Sequence, residues 1–227
     1  MEAWLQFWQS LSGPTSEVLT RGARGMDLPA LLALAAALGW ASGLRLYAVV
    51  FMAGWAGFMG WIELPSGLLL LQHPAVLLAS GFMLVVEFFA YKIPGLDSLW
   101  DIVHSVIRVP AGAALAAAVF GADSAAMVVA AGLLGGSLAA TSFATKATTR
   151  AAANTSPEPF SNIALSLAGD ALVPGMLWLS WTHPVWFFFA LAIALVLMVT
   201  VTVMLFKFLR GLGRKLRGHF APTQASI

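Results

Sequence analysis

Residues 28–54, LPALLALAAALGWASGLRLYAVVFMAG, form an apolar stretch that contains one charged residue, Arg45. A helix of this length, at about 1.5 Å per residue, exceeds the roughly 30 Å hydrocarbon core of a bilayer. Asp27 and Pro29 before and within its first turn are typical of a helix start. Arg45 lies too deep in the stretch for its guanidinium to reach water by snorkelling. The stretch predicts a membrane-spanning helix with a charge near its middle.

The composition of the whole chain is that of an integral membrane protein. Of its 227 residues, 60% are hydrophobic and 10% are charged, and the mean hydropathy is +0.87. Globular proteins contain only about 45–50% apolar residues. The 12 basic residues against 10 acidic ones indicate no nucleic-acid partner, because in such a chain the position of Lys and Arg relative to the spans decides their meaning. We expect an all-α membrane protein.

Apolar runs predict six transmembrane helices. They lie at about residues 28–54, 74–93, 105–121, 124–145, 160–178 and 184–208, with boundaries good to about 2–4 residues. Since residues 28–61 and 67–93 exceed one membrane thickness, tilt, a break or an extra half-span within 54–73 stays open. Trp4 and Trp8, at helical spacing with other apolar residues, predict an amphipathic interfacial helix.

These runs divide the chain into four segments. They are an interfacial N-terminal segment (1–25), a first membrane half (26–122), a second membrane half (123–209) and a basic tail (210–227). The tail region 207–219 holds five basic residues and no acidic one, and Arg21 and Arg24 precede the first span. With six spans, the positive-inside rule predicts an inner-membrane protein with both termini in the cytoplasm.

A weak internal repeat is consistent with two inverted three-helix units. Pro94-Gly95 and Pro174-Gly175 are each followed by a Leu-Trp pair and a histidine, and each is preceded by an acid, Glu87 or Asp170. Copies with three spans each would be inverted relative to one another, as in many transporters. The alternative is that Pro-Gly breaks and interfacial Trp residues recur in any polytopic protein.

Charged side chains inside the predicted spans are candidates for a central site. A charge at the centre of a lipid-facing helix costs roughly 2.5–3.5 kcal/mol, so such residues face the bundle interior, pair, or mark a pathway. We expect Arg45 to pair with Glu87 or Asp170 around a shared polar interior. The alternative is a structural ion pair that only fixes helix register.

A stripe of hydroxyl groups leads to two further cations. Its members lie three or four residues apart on one helix face: Ser137, Thr141, Thr145 and Thr148. We name Thr141, Lys146 and Arg150 as candidates for binding an anionic solute or head group. The alternative is that the hydroxyls pack helices and that the cations are positive-inside anchors.

Two segments carry helix-breaking residues. Gly169 and Gly175 bracket Asp170, and Pro174 lacks a backbone donor, so residues 166–175 predict a discontinuous helix that faces a cavity. Pro94 and Gly95 mark a similar break, and residues 93–101, with Asp97 and Asp101, are predicted to form an exposed loop. Gly132 and Gly136 form a GxxxG pattern that predicts helix packing.

No pattern for catalysis or metal binding is present in the sequence. Cysteine is absent, which excludes disulfides, thiolate metal sites and cysteine nucleophiles. The four histidines share no metal-ligand spacing, and there is no phosphate loop or Ser/His/Asp constellation. We expect neither an enzyme nor a bound cofactor or metal.

Three stretches carry a resemblance to known proteins: ASGLRLY (41–47), KIPGLDSLWD (92–101) and SLAGDALVPG (166–175). They resemble a family of bacterial multi-pass membrane proteins that is catalogued only as a domain of unknown function. The resemblance covers about residues 28–200 and implies a membrane location. No functional residues can be carried over from this family. A fainter likeness is to lipid-carrier flippases with paired re-entrant helices, whose Arg/Pro signature is not matched.

The intramembrane charges, helix breaks and repeat together predict a small secondary transporter or lipid flippase for an anionic solute or lipid head group. Asp170 or Glu87 would couple transport to protons, and Arg45 or Lys146 would engage the anion. The alternative is a membrane scaffold or assembly factor that transports nothing. Membrane lipids are the expected partners, and a homo-oligomer stays open.

Overall fold

The computed structural model describes residues 26–90, 93, 96–121, 125–155 and 160–220. This part of the chain is helical and contains no strand. The predicted interfacial segment 1–25 and the predicted break at Pro94 and Gly95 lie outside the described residues. The expected all-α fold is therefore confirmed for the part of the chain that the structure describes.

Within the described residues, the bundle consists of six α-helices and one 3₁₀ helix. In chain order they are α1 (Leu28–Phe58), the 3₁₀ helix (Ser66–Gln72), α2 (Pro74–Ala90), α3 (Leu96–Val119), α4 (Ala125–Ala153), α5 (Phe160–Thr182) and α6 (Pro184–Phe220). The start of α1 is fixed by Asp27, whose carboxylate accepts a hydrogen bond from the backbone N–H of Ala30 at 3.1 Å. Proline is well suited to the first turn, because the backbone N–H it lacks would have no intrahelical partner there.

Four of the described helices are long and apolar enough to cross a membrane. They are α1, α4, α5 and residues 184–211 of α6; the 3₁₀ helix and α2, which are bent by 68° relative to one another, together make a fifth candidate. The apolar part of α3, Val103–Val119, is shorter. Length and composition thus support a multi-pass protein with four or five candidate spans, and six spans are not confirmed.

Helix α1 lies at the centre of the bundle, against α3, α4 and α5. Every residue from Ala33 to Leu46 is buried. Most of these are Ala, Gly and Leu, and the Ala and Gly residues allow neighbouring backbones to approach closely. Burial on all sides also keeps Arg45 away from lipid.

The backbone of α1 is interrupted at Arg45, where φ is −146° and ψ is 77°. Before this break, Gly39 lies against Gly135 and Gly43 against Ala139, so the first half of α1 runs parallel to α4. After the break, Phe51 lies against Gly81 and Gly54 against Leu77, so the second half runs antiparallel to α2.

The directions of the neighbouring helices show that α1 doubles back at this break. Helices α3 and α4 are antiparallel, because Gly132 faces Ala117 and Gly136 faces Ala113. Helices α2 and α3 are also antiparallel: Glu87 near the end of α2 pairs with Arg108 in the first half of α3, whereas Gly67, which precedes α2, lies against Ala118. Since α2 and α4 therefore run the same way, the two halves of α1 run in opposite directions.

This hairpin changes where the ends of the described chain lie. Residue 28 and residue 58 lie at the same end of the bundle, next to the connection between α3 and α4. Helix α5 starts beside the end of α4, where Asn162 donates a hydrogen bond to Asn154, so α5 runs antiparallel to α4. Helix α6 runs back parallel to α4, because Thr202, in the second half of its apolar part 184–211, lies 3.0 Å from Thr145 of α4. The beginning of α1 and the end of α6 thus lie at opposite ends, which differs from the single span expected for residues 28–54.

Three helices cross at a cluster of small residues. A Cβ atom on Gly39 would lie 2.4 Å from the Cα of Gly135, and one on Gly135 would lie 2.3 Å from the Cβ of Ala116. The predicted GxxxG pair does face α3, but a Cβ on Gly132 or Gly136 would find its nearest atom at 3.5 or 3.2 Å. At this crossing, the tight contacts therefore depend on Gly39 and Gly135 rather than on that pair.

We predict that Gly39→Ala lowers the melting temperature of the purified protein in detergent. The added methyl group meets backbone atoms, and overpacking of this kind costs about 1–3 kcal/mol. Gly132→Ala is the matched control, because its methyl group would make ordinary contacts and alanine favours helix by up to about 1 kcal/mol. Equal melting temperatures of the two variants would contradict the close crossing.

Candidate functional site

Arg45 forms an ion pair with Asp170 across the helix interface between α1 and α5. Its Nη2 atom lies 2.7 Å from Asp170 Oδ1 and donates to the carbonyl and the hydroxyl oxygen of Ser166 at 3.1 and 2.9 Å. The Arg45 side chain is 2% exposed and that of Asp170 is 26% exposed. The expectation that Arg45 pairs with an intramembrane acid is confirmed, and the acid is Asp170.

Lys146 stabilises the break in α1. Its Nζ atom donates a hydrogen bond of 2.7 Å to the carbonyl oxygen of Leu44, the residue before the break. A carbonyl that leaves the helical pattern needs another donor in a dry interior. The interrupted backbone is therefore held from α4 by Lys146 and from α5 by the partners of the Arg45 side chain.

A second group of charges joins α2, α3 and α4. Arg108 lies 2.8 Å from Glu87 and 3.0 Å from Asp101, and Asp101 lies 3.4 Å from Lys146 and 3.9 Å from Arg150. Glu87 and Arg108 are completely buried. We call these five residues the charged cluster. Because each acid faces at least one cation, the cluster offsets much of the desolvation cost of its members.

The predicted exposed loop at residues 93–101 is wrong for its second part. Residues 96–101 belong to the first turns of α3, and Asp101 is buried. Asp101 and Arg108 were missed as site residues, although their spacing of seven residues places them on one helix face two turns apart. Ser166, which also binds Arg45, carries no comparable signal in the sequence.

Most hydroxyl groups of the stripe on α4 form hydrogen bonds within α4 itself. The hydroxyl groups of Ser137, Thr141 and Thr148 donate to carbonyl oxygens four residues earlier in the same helix, at 2.7–2.9 Å. Thr145 also reaches α6, where its hydroxyl lies 3.0 Å from that of Thr202. The structure thus places Thr145 at a helix interface and leaves Thr141 outside the cavities described below.

Helix α5 is continuous from Phe160 to Thr182, so the predicted break at Pro174 and Gly175 is not observed. Pro174 lacks only the N–H group that would bond the carbonyl of Asp170, one turn earlier. A Cβ on Gly175 would meet no atom within 4 Å, which places this glycine on an open face. The interruption in the bundle core occurs instead at Arg45.

Two cavities meet at Arg45. The first, of about 410 Å³, lies between the second half of α1, α2 and α5; it is lined by Arg45, Ala48, Met52, Leu84, Val85, Phe88, Phe89, Gly169, Asp170, Val173 and Pro174. The second, of about 160 Å³, lies between α1, α4, α5 and α6; it is lined by Leu44, Arg45, Thr145, Lys146, Thr149, Arg150, Leu165, Ala168, Gly169, Leu172 and Met198. Arg45 and Gly169 line both.

The two cavities differ in chemistry. The second carries three cationic side chains and two hydroxyl groups, with no acid among its lining residues. Guanidinium, ammonium and hydroxyl donors suit a phosphate, sulfate or carboxylate group. The first is apolar except for the Arg45–Asp170 pair. Among the described residues, no group of three His, Asp or Glu side chains could hold a metal ion.

Comparison with known proteins gives a family but no activity. The chain matches the family described as "Domain of unknown function (DUF4126)" over residues 32–204. It therefore belongs to this family, as its sequence resemblance led us to expect. No curated protein and no solved structure matches the chain.

We predict that Arg108→Gln destabilises the protein far more than Arg45→Gln. Removing Arg108 takes one cation from a completely buried carboxylate, a loss of about 3–5 kcal/mol for such a pair. The Asp170 side chain is 26% exposed, so its carboxylate is less dependent on its partner, and loss of Arg45 costs less. Thermal unfolding in detergent measures both effects. The double variant Glu87→Gln/Arg108→Gln should recover part of the loss. If Arg108→Gln melts like the wild type, the charged cluster is not a structural anchor.

Proposed function

We propose that the protein is a small secondary transporter of the inner membrane that moves an anionic group, either a solute or a lipid head group, through the polar centre of its bundle. The observation that carries this proposal is the junction of two cavities at Arg45. A residue that closes a passage must line the space on both sides of it, and Arg45 and Gly169 do so.

The Arg45–Asp170 pair is suited to open and close. The Asp170 side chain of the pair is partly exposed. Arg45 lies on an interrupted backbone rather than within a rigid helix. None of the described residues donates a hydrogen bond to Asp170 Oδ2, so this oxygen can accept a proton. Protonation would cancel the attraction between the two side chains and release Arg45 for an incoming anion. Proton coupling through Asp170 is part of the proposal.

Glu87 has a different role in this scheme. It is completely buried and pairs with Arg108, which favours a structural function. The charged cluster holds α2, α3 and α4 together while the Arg45–Asp170 pair connects α1 with α5. The second cavity borders both groups of charges, because Arg45 belongs to the pair and Lys146 and Arg150 belong to the charged cluster. Among the described residues, Arg45 is the one of these three cations whose acidic partner is partly exposed.

The charge pairing supports an inverted relation between the two membrane halves. Arg45 of the first half pairs with Asp170 of the second, and Lys146 and Arg150 of the second half face Asp101 of the first. Both halves thus contribute charges to a shared site, as in transporters with inverted repeats, whereas Glu87, the counterpart of Asp170 in the repeat, pairs with Arg108 within the first half. The two halves are not identical, because α1 doubles back whereas α4 is continuous.

For the membrane, we propose that α2 to α6 cross the bilayer and that α1 is a re-entrant hairpin. The five basic residues of 207–219 place the end of α6 in the cytoplasm by the positive-inside rule. The hairpin then enters and leaves from the opposite, outer face. This arrangement replaces the expectation of two cytoplasmic termini, because an odd number of crossings puts the two ends of the described chain on opposite sides.

A scaffold function is the second candidate, and the charged cluster favours it. Buried ion networks of this kind can fix helix register without any transport. If the Arg45–Asp170 pair were equally static, the two cavities would be packing defects. Solvent access to the cavities distinguishes the two functions.

We predict opposite labelling of the two ends of the described chain. In this cysteine-free protein, Met26→Cys and Glu63→Cys should react with a membrane-impermeant maleimide in intact cells with a permeable outer envelope. Arg214→Cys should react only after the inner membrane is opened. Labelling of Met26→Cys and Arg214→Cys from the same side would contradict the re-entrant hairpin.

We also predict that single cysteines in the cavities react with a small water-soluble thiol reagent. Thr149→Cys in the second cavity should react from the cytoplasmic side, and Ala48→Cys in the first cavity should react faster when Asp170→Asn is added, because the pair at Arg45 is then weakened. Ala139→Cys, at a fully buried packing position, is the unreactive control. If neither cavity position reacts from either side, with or without Asp170→Asn, transport is excluded and the scaffold function is favoured.

A further inference from the structure

We infer that the transported molecule is a lipid, with its acidic head group in the second cavity and its hydrocarbon chain in the first. The chemical class is a long-chain alkyl or isoprenyl phosphate. This inference rests on the proposed function and specifies its substrate.

The first cavity has the chemistry of a chain-binding groove. Eight of its lining residues are apolar side chains, contributed by α1, α2 and α5: Ala48, Met52, Leu84, Val85, Phe88, Phe89, Val173 and Pro174. Its volume of about 410 Å³ falls in the range of about 300–1,000 Å³ that is typical of small-molecule sites. A water-soluble anion would gain nothing from these walls, whereas a hydrocarbon chain would.

The first cavity also has a side that faces the bilayer. Val85 and Phe89 on α2 are 54% and 60% exposed, and both line the cavity. In a bilayer these exposed apolar side chains contact lipid. A lipid could therefore place its chain between α2 and α5 without leaving the hydrocarbon region.

The second cavity selects the head group. Arg45, Lys146 and Arg150 provide three cations, and Thr145 and Thr149 provide hydroxyl groups. Among the described residues, the acids that face these cations are two, Asp170 and Asp101, and neither of them lines this cavity. Asp170 lines only the first cavity, so it disfavours an anion there and leaves the second cavity as the favourable place. A volume of about 160 Å³ suits a compact group such as a phosphate.

The contact between the two cavities is narrow and contains a glycine. A Cβ on Gly169 would lie 3.7 Å from Arg45 Nε, an ordinary contact distance. The glycine therefore leaves space beside the guanidinium at the position where head and chain of one molecule would be joined. Arg45 is then within reach of the phosphate from either cavity.

The test uses the full-length protein in nanodiscs of phosphatidylcholine, with three probes: hexadecyl phosphate, inorganic phosphate and hexadecyltrimethylammonium. Binding is measured by thermal stabilisation and by native mass spectrometry. We expect hexadecyl phosphate to bind at least about ten-fold more tightly than either other probe, a difference of about 1.4 kcal/mol.

Matched variants separate the contributions of chain and head group. Ala48→Leu fills part of the first cavity and should weaken hexadecyl phosphate about ten-fold while leaving the weak binding of inorganic phosphate unchanged. Ala171→Leu, on an exposed face of α5, is the control and should change neither. Arg150→Gln should weaken both phosphate compounds.

The outcomes distinguish this inference from the proposed function. If inorganic phosphate binds as tightly as hexadecyl phosphate, or if Ala48→Leu and Ala171→Leu behave alike, the lipid assignment is wrong and transport of a soluble anion survives. If hexadecyl phosphate and hexadecyltrimethylammonium bind equally tightly, the assignment of a phosphate head group is also wrong. If no phosphate compound binds to the wild type, an anion site in the second cavity fails, and the proposed function fails with it.

Discussion

The structure depends on how the interrupted backbone of α1 is satisfied inside a dry bundle. A free carbonyl in hydrocarbon costs several kcal/mol, so irregular backbone survives only where protein or a water-lined cavity provides partners. Here Lys146 binds the carbonyl of Leu44, and Asp170 and Ser166 bind the Arg45 side chain. Because Lys146 comes from α4 and the partners of Arg45 come from α5, the contacts at the break also position the charges around it.

The small residues of α1 make this arrangement sterically feasible. A hairpin at the centre of a bundle needs contact with neighbours on every side, and large side chains would hold those neighbours away. Gly39, Gly112 and Gly135 let the backbones of α1, α3 and α4 meet, which brings Lys146 within hydrogen-bond distance of Leu44. The polar contacts at the break therefore depend on the close packing of the residues that precede it, because this packing sets the distance between the helices.

The sequence predicted the membrane class, most helices and the pairing of Arg45 with an acid, because apolar length and buried charge act locally and leave a clear pattern. It did not predict the hairpin. No Pro lies near Arg45, and the residues that stabilise the break come from helices about 100 and 120 positions away. The break was expected at Pro174 and Gly175, but one missing donor is tolerated within a helix. Asp101 was missed because residues 93–101 resemble a polar loop, and only tertiary contact with Lys146 and Arg150 explains its burial.

The two groups of charges differ in the free-energy cost of separating them, and this difference is the basis of the roles that we propose for them. Opening the contact between Glu87 and Arg108 would leave two completely buried charges apart, at a cost of several kcal/mol that no modest ligand can offset. Asp170 is 26% exposed, so its separation from Arg45 can be compensated by a proton on the carboxylate and an anion on the guanidinium. A transport cycle needs an ion pair whose closed and separated states have similar free energies. In the described part of the bundle, the partial exposure of Asp170 makes Arg45–Asp170 the pair that suits the transport cycle we propose, with the charged cluster as its fixed frame.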